Sequence, residues 1–247
     1  PYAYAELGAI GQAADYYGYE DHPYAALLEG FEPGMKAADV RRIFDRLRPA
    51  QVELASAIAS RPLPRTDFLH RDYPEAKQGE FGLRVAADFG YDLARGRLDV
   101  TGHPFASNFG RDDVRITTRY ARDYLPQALF AIFHEAGHAL YEQNVSPALA
   151  RSPLARGCSN VFHESQSRLW ENQVGRSRAF WERYFPLLQQ TFPGQLGDVT
   201  PGEFYAAVNA VQRSLIRVEA DEVTYNLHII LRFELELALI TGDLAAA

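Results

Sequence analysis

The sequence predicts a mainly α-helical fold with one small β insert, and two features of the residue pattern carry that prediction. Apolar residues recur at helical spacing along most of the chain. Between residues 96 and 120 the texture changes: Gly96, Gly102, Pro104 and Gly110 punctuate short pieces, and Val114 to Tyr120 alternates apolar with polar residues as a strand does. Taken in order, residues 2–18 mix Ala, Leu and Tyr with few charges and predict a helix. Asp21-His22-Pro23-Tyr24 and Glu32-Pro33-Gly34 are turn signals. Residues 37–60 carry Val40, Ile43, Phe44, Leu47, Val52, Leu54 and Ile58 at roughly helical spacing, with charged residues between them. Arg61-Pro62-Leu63-Pro64-Arg65 ends that helix, because prolines remove backbone donors and push their predecessors out of the α region. Residues 75–93 predict another, with Phe81, Val85, Phe89 and Leu93 four apart. After the β insert, helices are predicted over 124–144, 159–184, 202–219 and 220–241, the last closed by Gly242. No internal repeat or low-complexity linker divides the chain, so residues 1–247 read as a single helical region.

Composition narrows the function classes. With 25 Lys plus Arg against 32 Asp plus Glu, the formal charge is −7, the wrong sign for a sequence-independent nucleic-acid binder. The longest central apolar run, Ala128 to Phe133, is far too short to span a bilayer. Cys158 is the single cysteine, which excludes an intrachain disulfide framework and a cysteine-rich zinc site. The first thirty residues carry Asp15, Glu20, Asp21 and Glu29 and do not read as a signal peptide, so the expected compartment is the cytoplasm. The chain opens at Pro1 inside a predicted helix and stops at Ala247 just after another, which predicts a processed protein or a piece of a longer one.

The informative segment is Phe133-His134-Glu135-Ala136-Gly137-His138-Ala139-Leu140. Its H-E-x-x-H spacing sets two imidazoles about 40° apart in azimuth and about 6 Å apart in rise on one helix. From there both can reach one Zn²⁺ at roughly 2.0–2.1 Å, with Glu135 placed to deprotonate a water that the metal acidifies. A surface helix can carry His and Glu innocently, but this one is not patterned as a surface helix. Between Pro126 and Tyr141 the only ionisable side chains, the tyrosine aside, are His134, Glu135 and His138. A helix apolar all round is a buried one, and three ionisable groups inside it cost several kcal/mol without strong partners. Gly137 beside His138 gives up about 1 kcal/mol of helix propensity, which suggests a close approach at that point.

A catalytic zinc needs a third protein ligand and an open fourth position. Gln143 and Asn144 stand where the longer metzincin motif would continue to a third histidine, so the ligand comes from another helix. The candidates lie in His163-Glu164-Ser165-Gln166-Ser167-Arg168-Leu169-Trp170-Glu171. Glu164 and Glu171 are seven apart on one face, so spacing does not choose between them, and His163 points about 100° away. The bland alternative makes Glu164 an i,i+4 ion-pair partner of Arg168. Glu142, four residues after His138, is a candidate carboxylate for orienting that imidazole.

The HEAGHALYEQ run, followed after a loop by HESQSRLWEN, resembles the carboxypeptidase Taq family of zinc metallocarboxypeptidases. His103-Pro104-Phe105, the D-x-R-x-T pattern at Asp113-Val114-Arg115-Ile116-Thr117, and the stretch from Ile216 to Tyr225 resemble the same family. The resemblance covers essentially the whole chain. It implies a zincin-like helical metallopeptidase, with His134, His138 and Glu164 as ligands of Zn²⁺, or of Co²⁺ in its place, and Glu135 as general base. It also implies a peptide substrate with a free C-terminus and a homodimer. Family chains are longer, with further helices before the point of Pro1 and a Gln-Asp-x-His-Trp motif after the point of Ala247. The expectation is therefore an incomplete enzyme that self-associates or pairs with the missing segments. The broadly apolar stretch 220–241 supports it, since its coat is too wide for one contact stripe.

Other residues divide between functional and structural readings. The resemblance places His103 beside the substrate cleft, whereas the plain reading is a loop-capping histidine. Asp113 to Thr117 reads as a strand whose edge could pair with an extended peptide, though its Asp and Arg read better as a structural ion pair. Arg217 is the candidate guanidinium for a terminal carboxylate, against a solvated charge on an amphipathic helix. Tyr225, His228 and Arg232 could line a cleft or simply pack. The leading function is a zinc-dependent carboxypeptidase; the alternatives are a zinc endo- or oligopeptidase and a non-catalytic metal-binding helical fragment.

Overall fold

A computed structural model describes residues 2–244, with side chains from residue 8 onward. In chain order the helices are α1 (Tyr2–Tyr17), α2 (Pro23–Leu28), α3 (Ala37–Ala59) and α4 (Glu75–Phe89). Three short strands follow, β1 (Leu98–Val100), β2 (Ala106–Asn108) and β3 (Val114–Thr118). Then come α5 (Leu125–Gln143), α6 (Asn160–Arg168) continued by a π-helical turn over Leu169–Val174, and α7 (Arg178–Thr191). The chain ends in α8 (Pro193–Leu196), α9 (Pro201–Val208) and α10 (Tyr225–Thr241). The mainly helical class and the small β insert are as the residue pattern predicts.

The chain forms two compact units, one of residues 1–63 with 211–247 and the other of residues 64–210. In the first, α10 buries Ile230, Phe233 and Leu237, and the Phe233 ring meets Tyr24 and Phe44 edge-on at 5.4 and 5.3 Å. Leu231 and Leu235 of α10 stay exposed, so the apolar coat is covered on one side by this unit. In the second, Phe68, Tyr73, Phe81 and Val85 pack with the apolar side chains of α5 and with Trp181, Phe185 and Phe204 into one core. The sheet order is β1-β3-β2, with β1 parallel and β2 antiparallel to β3. Ile116 lies opposite both Leu98 and Ala106 and is fully buried, which seats the sheet on α5.

Several boundaries differ from the residue pattern. The helix over 75–93 stops at Phe89, because Gly90 turns left-handed at φ 110° and Asp92 then caps a separate 3-10 turn. The stretch 159–184 is two helices: the π turn ends at Gly175, and the Ser177 hydroxyl accepts Phe180 N–H at 3.1 Å to start a new one. The stretch 202–219 is helical only from Pro201 to Val208, opened by a Thr200–Glu203 capping box. Arg217 therefore sits in a short 3-10 turn, Arg217–Glu219, and not on an amphipathic helix. The last helix begins at Tyr225, after Asp221 has taken the Val223 and Thr224 N–H groups in a tight turn. Among the described residues no helix is long and apolar enough to cross a membrane.

Candidate metal centre

Helix α5 is buried along 14 of its 19 residues, as its all-round apolar pattern requires. Phe130, Phe133, Ala136 and Leu140 enter the core, while His134 and His138 turn toward α6. Contact between the two helices depends on Gly137. A Cβ there would lie 2.6 Å from both the Gln166 carbonyl oxygen and Ser167 Cα, so only glycine lets the backbone of α6 come this close. The close approach that the glycine suggests is thus the segment carrying Glu164.

Gly137→Ala should consequently destabilise the fold by about 1–3 kcal/mol despite the better helix propensity of alanine. It should also weaken metal retention, because α6 must step back with Glu164. Denaturant unfolding and metal content measure the two effects, and an unchanged midpoint would mean that α6 yields without cost.

His134, His138 and Glu164 each bring one ligand atom to a common point, and these atoms all lie within 4.8 Å of one another. Glu164 Oε2 stands 3.5 Å from His134 Nε2 and 3.2 Å from His138 Nε2. Ligands held about 2.1 Å from one tetrahedral ion are separated by about 3.4 Å, and the two distances from Glu164 Oε2 match that spacing. The other carboxylate oxygen, Oε1, accepts from Arg168 Nε at 3.0 Å. The Arg168 ion pair thus occupies one oxygen and leaves the other facing the two imidazoles.

Behind the cluster the remaining ring nitrogens are occupied. His134 Nδ1 is 2.8 Å from Glu171 Oε2, which also accepts from Arg168 at 3.1 Å. Glu171 lies in the π turn, whose widened helix starts between the two glutamates, and it meets the opposite edge of the His134 ring from Glu164. His138 Nδ1 is 2.6 Å from His163 Nδ1, and His163 Nε2 is 2.7 Å from Glu142 Oε1. The two residues weighed as third ligands beside Glu164 are therefore placed at the Nδ1 sides of the two imidazoles, away from the point where the three ligand atoms converge. The Glu142 carboxylate is hydrogen-bonded to His163 and not to the His138 ring.

The electrostatics separate the carboxylates. Burial pushes Glu135 up to about 7, and among the described residues no side chain hydrogen-bonds its carboxylate. Burial would raise Glu164 too, but the His138 hydrogen bond and the His134 and Arg168 charges outweigh it and hold the group at about 2. Burial likewise opposes ionisation of Glu171, and His134 with Arg168 and Arg176 overcomes it, leaving the pKa lowered. Burial keeps His138 below its ordinary value, which favours a neutral imidazole. One carboxylate is thus an anion suited to a cation, and another is tuned near neutrality for proton transfer.

The other candidates fall in two places. His103 is exposed between β1 and β2, where its carbonyl accepts from Thr101 Oγ1 at 2.7 Å. The Asp113–Arg115 pair is bidentate at 2.8 and 2.7 Å, as the structural reading has it. Thr117 Oγ1 accepts Phe105 N–H at 2.8 Å, so the D-x-R-x-T strand anchors the His103-Pro104-Phe105 loop. A free edge on that strand for an extended peptide is not present: β3 is the central strand, paired on both sides. Arg217 belongs to the first unit, where its guanidinium contacts the Tyr225 hydroxyl and sits 5.3 Å from the ring centroid. His228 and Arg232 lie on α10 of the same unit.

Comparison with known proteins identifies the family. The sequence profile of carboxypeptidase Taq (M32) metallopeptidases matches residues 7–247. The chain is 51% identical over 223 residues to thermostable carboxypeptidase 1 of Thermus thermophilus, covering 90% of this chain and 44% of the relative. It is 43% identical over 231 residues to carboxypeptidase 1 of Bacillus subtilis, covering 93% and 46%. The fold superposes on the crystal structure of the M32 carboxypeptidase from Deinococcus radiodurans R1 with a TM-score of 0.94 at 51% identity, covering 97% of this chain and 48% of that one. The chain thus spans about half the length of the relatives it matches. Matched along nearly its whole length, and carrying the two histidines and the glutamate together, the chain belongs to the carboxypeptidase Taq (M32) metallopeptidase family.

Proposed function

We propose that this chain carries the metal centre of a carboxypeptidase that removes residues from the free C-terminus of peptides, with Zn²⁺ as the resident ion, or Co²⁺ in its place. The observation that supports it most is the convergence of His134, His138 and Glu164, with ligand atoms within 4.8 Å of one another, beside a buried glutamate. A divalent metal bound there would supply Lewis-acid polarisation of the scissile carbonyl and lower the pKa of water toward neutrality. Glu135 is the base: it takes the proton of the attacking water and passes it to the leaving amine, a shuttle suited to a carboxyl poised near 7. Glu164 and the two imidazoles hold position, and Glu171 keeps the proton of His134 on Nδ1 so that Nε2 faces the cation.

Two substrate-binding roles belong to this reading. His103 is assigned to the cleft and Arg217 to the terminal carboxylate; both rest on family resemblance, and Arg217 also on the match between a guanidinium fork and a carboxylate. The 247 residues are read as one catalytic region. Location in the cytoplasm is carried over from the residue pattern as an expectation, and assembly as a homodimer rests on the family resemblance.

Timed product analysis on an N-blocked peptide tests the specificity. Single amino acids released in order from the C-terminus are expected once the chain is assembled with a complementary chain or segment, with little activity from the chain by itself. Internal fragments as first products would make the protein an oligopeptidase, and stoichiometric metal without turnover in that assembly would make it a metal-binding helical piece.

A further inference from the structure

We infer that His163 and Glu142 form a positioning relay that sets the tautomer and aim of His138. The inference rests on the reading of His134, His138 and Glu164 as metal ligands. A histidine that offers Nε2 to a cation carries its ring proton on Nδ1. In His138 that nitrogen faces another imidazole nitrogen, His163 Nδ1, at 2.6 Å. The ring planes are 22° apart with centroids at 4.6 Å. Stacked faces keep their atoms about 3.5 Å apart, so these rings meet edge to edge through a hydrogen bond. Only one of the two nitrogens can hold the proton.

Glu142 decides which. Its side chain is one-tenth exposed, and Oε1 lies 2.7 Å from His163 Nε2. An ionised carboxylate only accepts, so His163 must carry its proton on Nε2 and present a bare Nδ1. That lone pair takes the proton of His138 Nδ1–H and leaves His138 Nε2 bare toward the cluster. The reverse arrangement would set a lone pair of His163 against the carboxylate in a largely buried site, an unpaired contact that costs free energy. The ring of Tyr141 meets His163 edge-on at 5.1 Å and helps to hold its orientation. His134 reaches its carboxylate, Glu171, directly, whereas His138 reaches Glu142 only through an imidazole. His163 is also the residue before Glu164, so α6 supplies one ligand and the support for another from consecutive positions.

The test is metal affinity of the full chain, measured by competition for Zn²⁺ against a chromophoric chelator, together with the visible spectrum of the Co²⁺-loaded protein. His163→Phe and Glu142→Ala should still bind one metal per chain, with affinity lowered about 10–100-fold and an altered Co²⁺ spectrum. Glu142→Gln, whose amide oxygen still accepts from Nε2–H, should recover most of the loss, which a purely packing role would not produce. Should His163→Phe fail to fold, the Glu142→Ala and Glu142→Gln pair carries the same comparison. Wild-type affinity and spectrum in Glu142→Ala would overturn the relay while leaving the ligand assignment standing. Stoichiometric metal retained in both His134→Ala and His138→Ala would overturn the ligand assignment and the relay with it.

Discussion

Glu135→Gln is expected to leave metal content unchanged and to lower peptide hydrolysis by about 10²–10⁴-fold, the range for loss of a general base. The amide keeps the shape of the side chain and removes the proton acceptor. Glu135 is 5% exposed and is not one of the three converging donors, so the substitution takes nothing from the cation. Its pKa near 7 sets the sign with respect to pH: burial favours the neutral acid, and the base form grows as pH rises through neutrality. Metal analysis of the purified variant together with initial rates on a C-terminally unblocked peptide decides the matter. Loss of metal in Glu135→Gln would show that the residue is a ligand or a support.

Glu164→Ala is expected to abolish stoichiometric metal binding and lower the melting temperature of the metal-loaded protein, because at such a site binding free energy is folding free energy. Glu171→Ala should behave differently. It removes the acceptor behind His134 and the carboxylate facing Arg176, while Arg168 keeps its pair with Glu164. Stability should fall, because a largely buried carboxylate with several partners is lost, yet the three converging atoms of His134, His138 and Glu164 remain. Metal should therefore still bind one to one, about 10–100-fold more weakly. Plasma-emission metal analysis and chelator competition on the two variants separate the roles. The opposite pattern, with metal lost from Glu171→Ala and kept by Glu164→Ala, would exchange the two assignments.

The residue pattern was most informative where one element decides the outcome. The H-E-x-x-H spacing needs only helix geometry, and the absence of other ionisable side chains between Pro126 and Tyr141 announces that α5 is buried. The mismatch of a glycine in that helix pointed to a close neighbour, which α6 turned out to be. Boundaries were less legible where caps compete with apolar periodicity. Ser177 and the Thr200–Glu203 box are local signals, but continuous apolar spacing on either side masks them.

What the sequence determined by itself is the helical class, the β insert, the burial of α5 and the pair of histidines that could share a metal, since each follows from propensity and periodicity within a single segment. The third ligand is of another kind. Glu164, Glu171 and His163 sit within nine residues, and periodicity places two of them on one face. Residue spacing left them undivided; the tertiary structure brings Glu164 to the shared edge of the two imidazoles and sets Glu171 and His163 at their Nδ1 sides. The π turn after Arg168 and the depth allowed by Gly137 set which edge of which imidazole each side chain can reach. The pairing of Asp113 with Arg115 and the burial of their strand between two others were likewise decided there. Residue spacing specifies a face of a helix to about one side chain. A metal ligand differs from its support by a few ångströms and by the ring nitrogen it meets, and only the packing of one helix against another resolves that difference.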